Sequence, residues 1–246
     1  MKKNDPKNRN KPKVLLFDIE ASNLAANFGF MFCIGYMYLG DKKPTILSIR
    51  DNKKEHKKDP TNDEPLIEAF RPIIENADVI VAHYGKKFDV PFLQTRCFEH
   101  GLKPLNVPTL IDTWHTARYT LKFNSNRLDT INRSIPGSLK MLEQKTPIDN
   151  KSWVRGPSGH IPSIKEIEHH CYMDILVLKN TYLNLRPYMT SHPHLGKLID
   201  PRAESCPQCG SAKVQKHGLR ANARGQSQRY RCLDCGGTHV KPLKVG

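Results

Sequence analysis

The sequence predicts an α/β fold: a mixed sheet of three antiparallel strands followed by parallel strands, flanked by helices, with a small cysteine-stapled domain behind it. Three observations carry this expectation. Three apolar runs of strand length come first, helical and strand patterns alternate after them, and two C-x-x-C-G knuckles lie near the C-terminus.

The first run, Val14 to Glu20, is apolar up to Phe17 and reads as a strand. A glycine-containing connection leads to strands over about 30–39 and 45–50, separated by a turn at Gly40-Asp41. The polar segment Asp51 to Asn62 reads as a solvated loop. Leu66, Ile67, Phe70, Ile73 and Ile74 recur at helical spacing, with Pro72 expected to kink or divide the helix. A short strand over 78–82 follows, then a helix from Phe88 that Gly101 can stop. A strand around Leu110-Ile111 comes next, with polar helices to roughly 145 and a Gly- and Pro-rich loop from Arg155 to Pro162. The last long helix is expected to open on a capping box, Ser163 with Glu166, and to run to about Leu185, ahead of Pro187. The expected organisation is a basic flexible tail at 1–13, the α/β domain at 14–187, a linker at 188–204 and the cysteine module at 205–246.

With 246 residues, 38% of them hydrophobic and 26% charged, the chain suits one sizeable globular domain plus a small module. No apolar run has the length of a membrane span, and the basic N-terminus lacks the apolar stretch of a secretory signal. A soluble cytoplasmic protein is the expectation. The formal net charge of +15 is uneven: residues 1–13 carry +5 and residues 206–246 carry +7, around a nearly neutral body. Basic ends on a neutral body suit a polyanion such as nucleic acid. Seven cysteines without a secretory signal argue against a disulfide framework, and Cys33, Cys97 and Cys171 sit in apolar surroundings as core residues.

Strand side chains alternate faces, so Asp18 and Glu20 share one face while Phe17 and Ile19 take the other. Either the strand ends at Phe17 and both acids are solvated, or they are buried and need a cation. Asp174 lies on an otherwise mostly apolar helical stripe with Ile167, Cys171, Leu178 and Thr181, and so also needs a partner. Asp89, a short loop after strand 78–82, reads equally as a helix N-cap or as a fourth site acid.

The segments VLLFDIE, VIVAHYGKKFDVPFL and HHCYMDILVL, in this order, resemble the three motifs of the DEDD superfamily of 3′-to-5′ exonucleases, which share an RNase H-like fold. The bacterial and viral predicted-exonuclease group is the branch they most resemble, over roughly residues 14–185. The resemblance implies that Asp18, Glu20, Asp89 and Asp174 hold two Mg²⁺ or Mn²⁺ ions that hydrolyse a phosphodiester, with Asp18 bridging them. It also implies a DNA or RNA substrate with a single-stranded 3′ end. Such enzymes place a Tyr or His near the last Asp to orient or deprotonate water. Here His169 and His170 both fit the spacing, and helical geometry favours His170, one turn before Asp174. One departure stands out: the second motif carries Tyr84 where the family has Asn. Asp112 matches an acid common in the family and reads as structural, and it is the substitute if Asp89 is not a ligand. Rival readings are an RNase H-like endonuclease or transposase-type enzyme, and an inactive nucleic-acid-binding regulator.

Cys206, Cys209, Cys232 and Cys235 form the two knuckles, 22 residues apart. Four thiolates suit one structural Zn²⁺, and a fragment this small needs such a staple to fold. The segment between them resembles the zinc ribbons of some nucleic-acid proteins, with Lys216, Arg220, Arg224, Arg229 and Arg231 as the expected nucleic-acid contacts.

Overall fold

The structure, a computed structural model, describes residues 11–145, 147–223 and 225–243, leaving Arg224 and most of the basic N-terminal segment outside. The chain divides into two compact units, one over residues 13–182 and one from residue 183 onward.

The first unit is built on five strands: β1 (Val14–Ala21), β2 (Met31–Tyr38), β3 (Thr45–Ser48), β4 (Val79–Ala82) and β5 (Thr109–Asp112). Their order is β3-β2-β1-β4-β5. The β1–β2 and β2–β3 pairs are antiparallel, and the β1–β4 and β4–β5 pairs are parallel. This is the mixed sheet the sequence predicts, because hairpin-length connections join the first three strands and helical crossovers join the rest.

Eight helices accompany the strands among the described residues: α1 (Lys53–Lys58), α2 (Glu64–Glu75), α3 (Asp89–Glu99), α4 (Thr113–Thr120), α5 (Leu128–Arg133), α6 (Leu139–Glu143), α7 (Asn150–Arg155) and α8 (Ile161–Leu185). Phe17 and Ile19 pack with Ile67, Phe70 and Ile74 of α2 and with Phe92 and Leu93 of α3. A second cluster joins Phe32 and Cys33 of β2 to Ile164, Ile167 and Cys171 of α8. Each fully buried aliphatic or aromatic side chain here contributes about 1.5–3 kcal/mol. With Phe17 and Ile19 committed to the α2–α3 layer, strand alternation turns Asp18 and Glu20 towards α8. The Cys171 Sγ, 3.8 Å from the Asp18 carbonyl oxygen, marks that side.

Three local expectations are corrected. The polar segment after residue 51 contains α1, whose Asn52 side chain accepts the Glu55 N–H and whose last turn carries His56, Lys57 and Lys58. A cap and cations at the C-terminal end favour the helix without an apolar stripe. Pro72 does not divide α2, since Leu66, Ile67, Phe70 and Ile74 are buried along it and outweigh one lost backbone bond. Finally, α8 begins before the expected capping box. Glu166 turns away to accept from the Asp149 N–H and the Ser152 hydroxyl, while Ser163 bonds His160.

In the second unit, β6 (Val214–Asn222), β7 (Gly225–Cys232) and β8 (Thr238–Pro242) form an antiparallel sheet in sequence order. Gly210 and Gly236 close the two knuckles at φ +74° and +75°, a left-handed turn that a side chain would strain. Their N–H groups reach back to the Cys206 and Cys232 carbonyls at 2.9 and 3.0 Å. The segment expected as a linker holds a 3-10 turn over Leu195–Leu198, and the Leu195 N–H donates to the Pro207 carbonyl.

Candidate metal centres

The end of β1 and the middle of α8 bring the first acidic group together. Ligand atoms of Glu20, His170 and Asp174 lie within 4.8 Å of one another, as do those of Asp18, Glu20 and Cys171. His170 Nε2 is 3.3 Å from Asp174 Oδ2, on the shared face that one helical turn provides. His169 is exposed and stacks near Tyr172, ring centroids 6.5 Å apart, pointing elsewhere. Cys171 is fully buried, and its hydrogen bond with Cys33, followed by burial, pushes its thiol well up.

Asp89 opens α3 and is buried, with Oδ1 accepting the Ile19 N–H at 3.2 Å. It stands outside the two tight groups but presses on Asp18 electrostatically. The nearby Gly85 is needed for this: a Cβ there would meet the Ala82 Cβ at 2.4 Å, beside the Asp89 carboxylate. Asp112 serves backbone. It caps α4 through the Trp114 and His115 N–H groups and holds the preceding loop through those of Tyr84 and Lys86. Tyr84 itself adopts φ +67°, a left-handed conformation that Asn tolerates better than Tyr. Its ring meets that of Trp114 edge-on, centroids 5.0 Å apart, and Trp114 leads on to the exposed Tyr119.

The electrostatics distinguish these acids from an ordinary buried carboxylate. Asp63 is wholly buried yet fully partnered, by Arg96 at 2.9 Å, His100 at 2.6 Å and the Met31 N–H. Asp18 is held well above the usual carboxylate range by burial first, then by Asp89, Glu20 and Asp174. Burial likewise raises Glu20, helped by Asp174, and raises Asp174 against the pull of Lys145 and His170. Asp89 is pushed up to about 7 by burial, despite backbone N–H donors. Repelling carboxylates that gain by neutralisation, with oxygen donors converging from two elements, fit hard divalent cations such as Mg²⁺ or Mn²⁺.

A scan of protein families matches the RNase H superfamily over residues 15–185. The chain belongs to the RNase H superfamily. This match spans the sheet and α8, so it takes in Asp18, Glu20, Asp89 and Asp174. The chain is also similar to a DNA polymerase III of PolC type from Ureaplasma parvum, 28% identical over 133 residues. That alignment covers 48% of this chain but only 9% of the polymerase. Among solved structures, a family B DNA polymerase from Pyrobaculum calidifontis aligns with a TM-score of 0.53 at 13% identity, covering 86% of this chain and 31% of that one. The likeness is one of fold.

The second group lies beyond the RNase H-like unit. All four sulfurs of Cys206, Cys209, Cys232 and Cys235 fall within 4.8 Å of one another. Cys206 and Cys235 are 3.7 Å apart and Cys209 and Cys232 3.6 Å. Four thiolates around a tetrahedral zinc ion at its ordinary bond length stand about 3.8 Å apart, so the cluster fits that ion. Burial opposes ionisation of Cys232, but the Cys235 and Asp234 N–H groups and its neighbouring thiols bring it down to about 7. Lys216, Arg220, Arg229 and Arg231 are exposed on β6 and β7, while Arg224 lies outside the described residues. Arg220 and Arg229 line one cavity of about 710 Å³ with His192, His194 and His239.

Sequence reasoning missed Lys145, which enters the acid site from the stretch after α6. A lysine in a polar stretch carries no periodic signal that could have singled it out.

Proposed function

We propose that this chain is a metal-dependent nuclease of the 3′-to-5′ exonuclease type, with a C-terminal zinc ribbon that grips nucleic acid. The observation that carries it is the convergence of Asp18, Glu20, Asp174 and His170 from β1 and α8, with Asp89 beside Asp18. Membership of a nuclease superfamily and similarity to a DNA polymerase support a nucleic-acid substrate.

Asp18, Glu20, Asp89 and Asp174 would hold two Mg²⁺ or Mn²⁺ ions. When bound, these ions supply charge neutralisation at the phosphate and lower the pKa of the attacking water. His170, held by Asp174, takes the role of general base towards that water. Asp112 positions without touching substrate, fixing the loop that presents Gly85 to Asp89. The rings of Tyr84, Trp114 and Tyr119 offer faces on which unpaired bases stack, which favours a single-stranded 3′ end. In the second unit, Cys206, Cys209, Cys232 and Cys235 would hold one Zn²⁺ and so fix the strands that display Arg220 and Arg229.

End-labelled single- and double-stranded DNA and RNA, incubated with Mg²⁺ or Mn²⁺, test the reading. A ladder shortening from the 3′ end is expected, with closed circular DNA left intact. Cleavage of the circle would establish an endonuclease instead. Asp18→Asn should reduce hydrolysis by more than about a hundredfold, since losing only an outer-sphere partner already costs ~10–100-fold. Equal rates in variant and parent would sink the assignment.

A further inference from the structure

Lys145 is a cation aimed into the acid site from outside the expected constellation. Its Nζ lies 2.5 Å from Asp174 Oδ1 and 2.8 Å from Asp129 Oδ1, and its side chain is only 10% exposed. Both are charge-assisted contacts from one buried ammonium, and the shorter is the one to Asp174. The ammonium also reaches beyond its nearest partners, opposing the effect of burial at Asp18, Glu20 and Asp174 alike. Burial works against the lysine's own charge, and Asp174 and Asp129 outweigh it.

We propose that Lys145 is the resident counter-ion of the acid site and a positioning residue for Asp174, and that a divalent metal gains Asp174 only by displacing this ammonium onto Asp129. The proposal rests on the metal-centre reading above. Two features support it. Asp129 is 42% exposed, so it can keep the ammonium as its partner while the stem swings outward. With Lys145 in place, the metal-free site is spared part of the repulsion among its acids, which keeps β1 and α8 together until metal arrives. Metal affinity is then set by a contest between a tethered +1 charge and a free +2 charge.

Calorimetric titration of Mn²⁺ at pH 8 into the parent, Lys145→Met, Lys145→Arg and Asp129→Asn tests this. Lys145→Met removes the competitor, so Mn²⁺ should bind about tenfold tighter, the scale by which a neighbouring opposite charge biases a carboxylate. Its metal-free melting temperature should fall, and its gain on saturation with Mn²⁺ should exceed the parent's. A lysine that merely braces the fold would give the first change without the tighter binding. Lys145→Arg keeps the competing charge and should bind Mn²⁺ no more tightly than the parent. Asp129→Asn leaves the ammonium nowhere else to go, so Mn²⁺ should bind several-fold more weakly; this variant carries the test if Lys145→Met does not fold. Unchanged or weaker affinity in Lys145→Met, or unchanged affinity in Asp129→Asn, overturns the proposal. A parent that binds no Mn²⁺ overturns the metal-centre reading together with it. A parent that binds Mn²⁺ and cleaves, beside a Lys145→Met of equal affinity, overturns the lysine's role alone.

Discussion

His83 shows how one side chain in the first unit couples stability to pH. Its Nε2 lies 2.9 Å from the Asn126 carbonyl and its Nδ1 2.8 Å from the Thr113 hydroxyl. A carbonyl only accepts, so Nε2 carries the proton. Burial lowers the pKa of this imidazole. The unfolded chain therefore takes up a proton more readily than the folded one. His83 contributes full stability above the ordinary histidine range near 6.5, and that contribution is lost as pH falls through it towards the depressed value. Melting temperatures of metal-free protein between pH 7.5 and 5 should fall less steeply in His83→Gln, which keeps a donor but does not titrate. Parallel slopes would remove His83 as the source. None of this was legible beforehand, because both partners lie about thirty or more residues away in sequence.

Helix α8 supplies Asp174 and His170, and its seat on the sheet is set by a missing side chain. Gly35 pairs with Asp18 across the β1–β2 ladder, and a Cβ there would meet Cys171 Sγ at 2.7 Å and Ile175 Cγ1 at 2.9 Å. The helix cannot easily move aside, because Glu168 takes two bonds of 2.6 Å from Arg50 and one from the Ser48 hydroxyl. Gly35→Ala should therefore cost about 1–3 kcal/mol by overpacking. It should also slow hydrolysis by displacing Asp174, with urea unfolding and cleavage rates falling together. A variant as stable and as active as the parent would show that α8 has slack at this crossing. The stripe on α8 was readable from its 3.6-residue period. Its first turn was not, since Glu166 satisfies a neighbouring helix rather than its own N-terminus.

At the scale of the whole molecule, an acidic centre and a basic module occur in one chain. No helix among the described residues is long and apolar enough to cross a membrane. The net charge of +15 comes largely from the two ends. If β6 and β7 grip phosphates, Arg220→Gln with Arg229→Gln should weaken binding of single-stranded nucleic acid most at low salt. The slope of log affinity against log salt should become shallower by roughly 1.4, two phosphate contacts at ~0.7 each. Filter binding across a salt series measures it, and an unchanged slope would assign those arginines elsewhere.

By itself the sequence determined what short-range patterning controls. Apolar runs of strand length marked the strands of a mixed sheet, strand alternation put Asp18 and Glu20 on one face, and knuckle spacing gathered four cysteines. A turn of helix placed His170, rather than His169, against Asp174. These follow from periodicities of two and 3.6 residues and from turns that only glycine closes easily. The tertiary structure alone decided where the remaining partners came from. It made Asp63 an anchor for Arg96 and His100, turned Asp112 into a cap, and drove Lys145 into the acid site. Those assignments depend on charge meeting charge through space, across chain separations over which no sequence period survives.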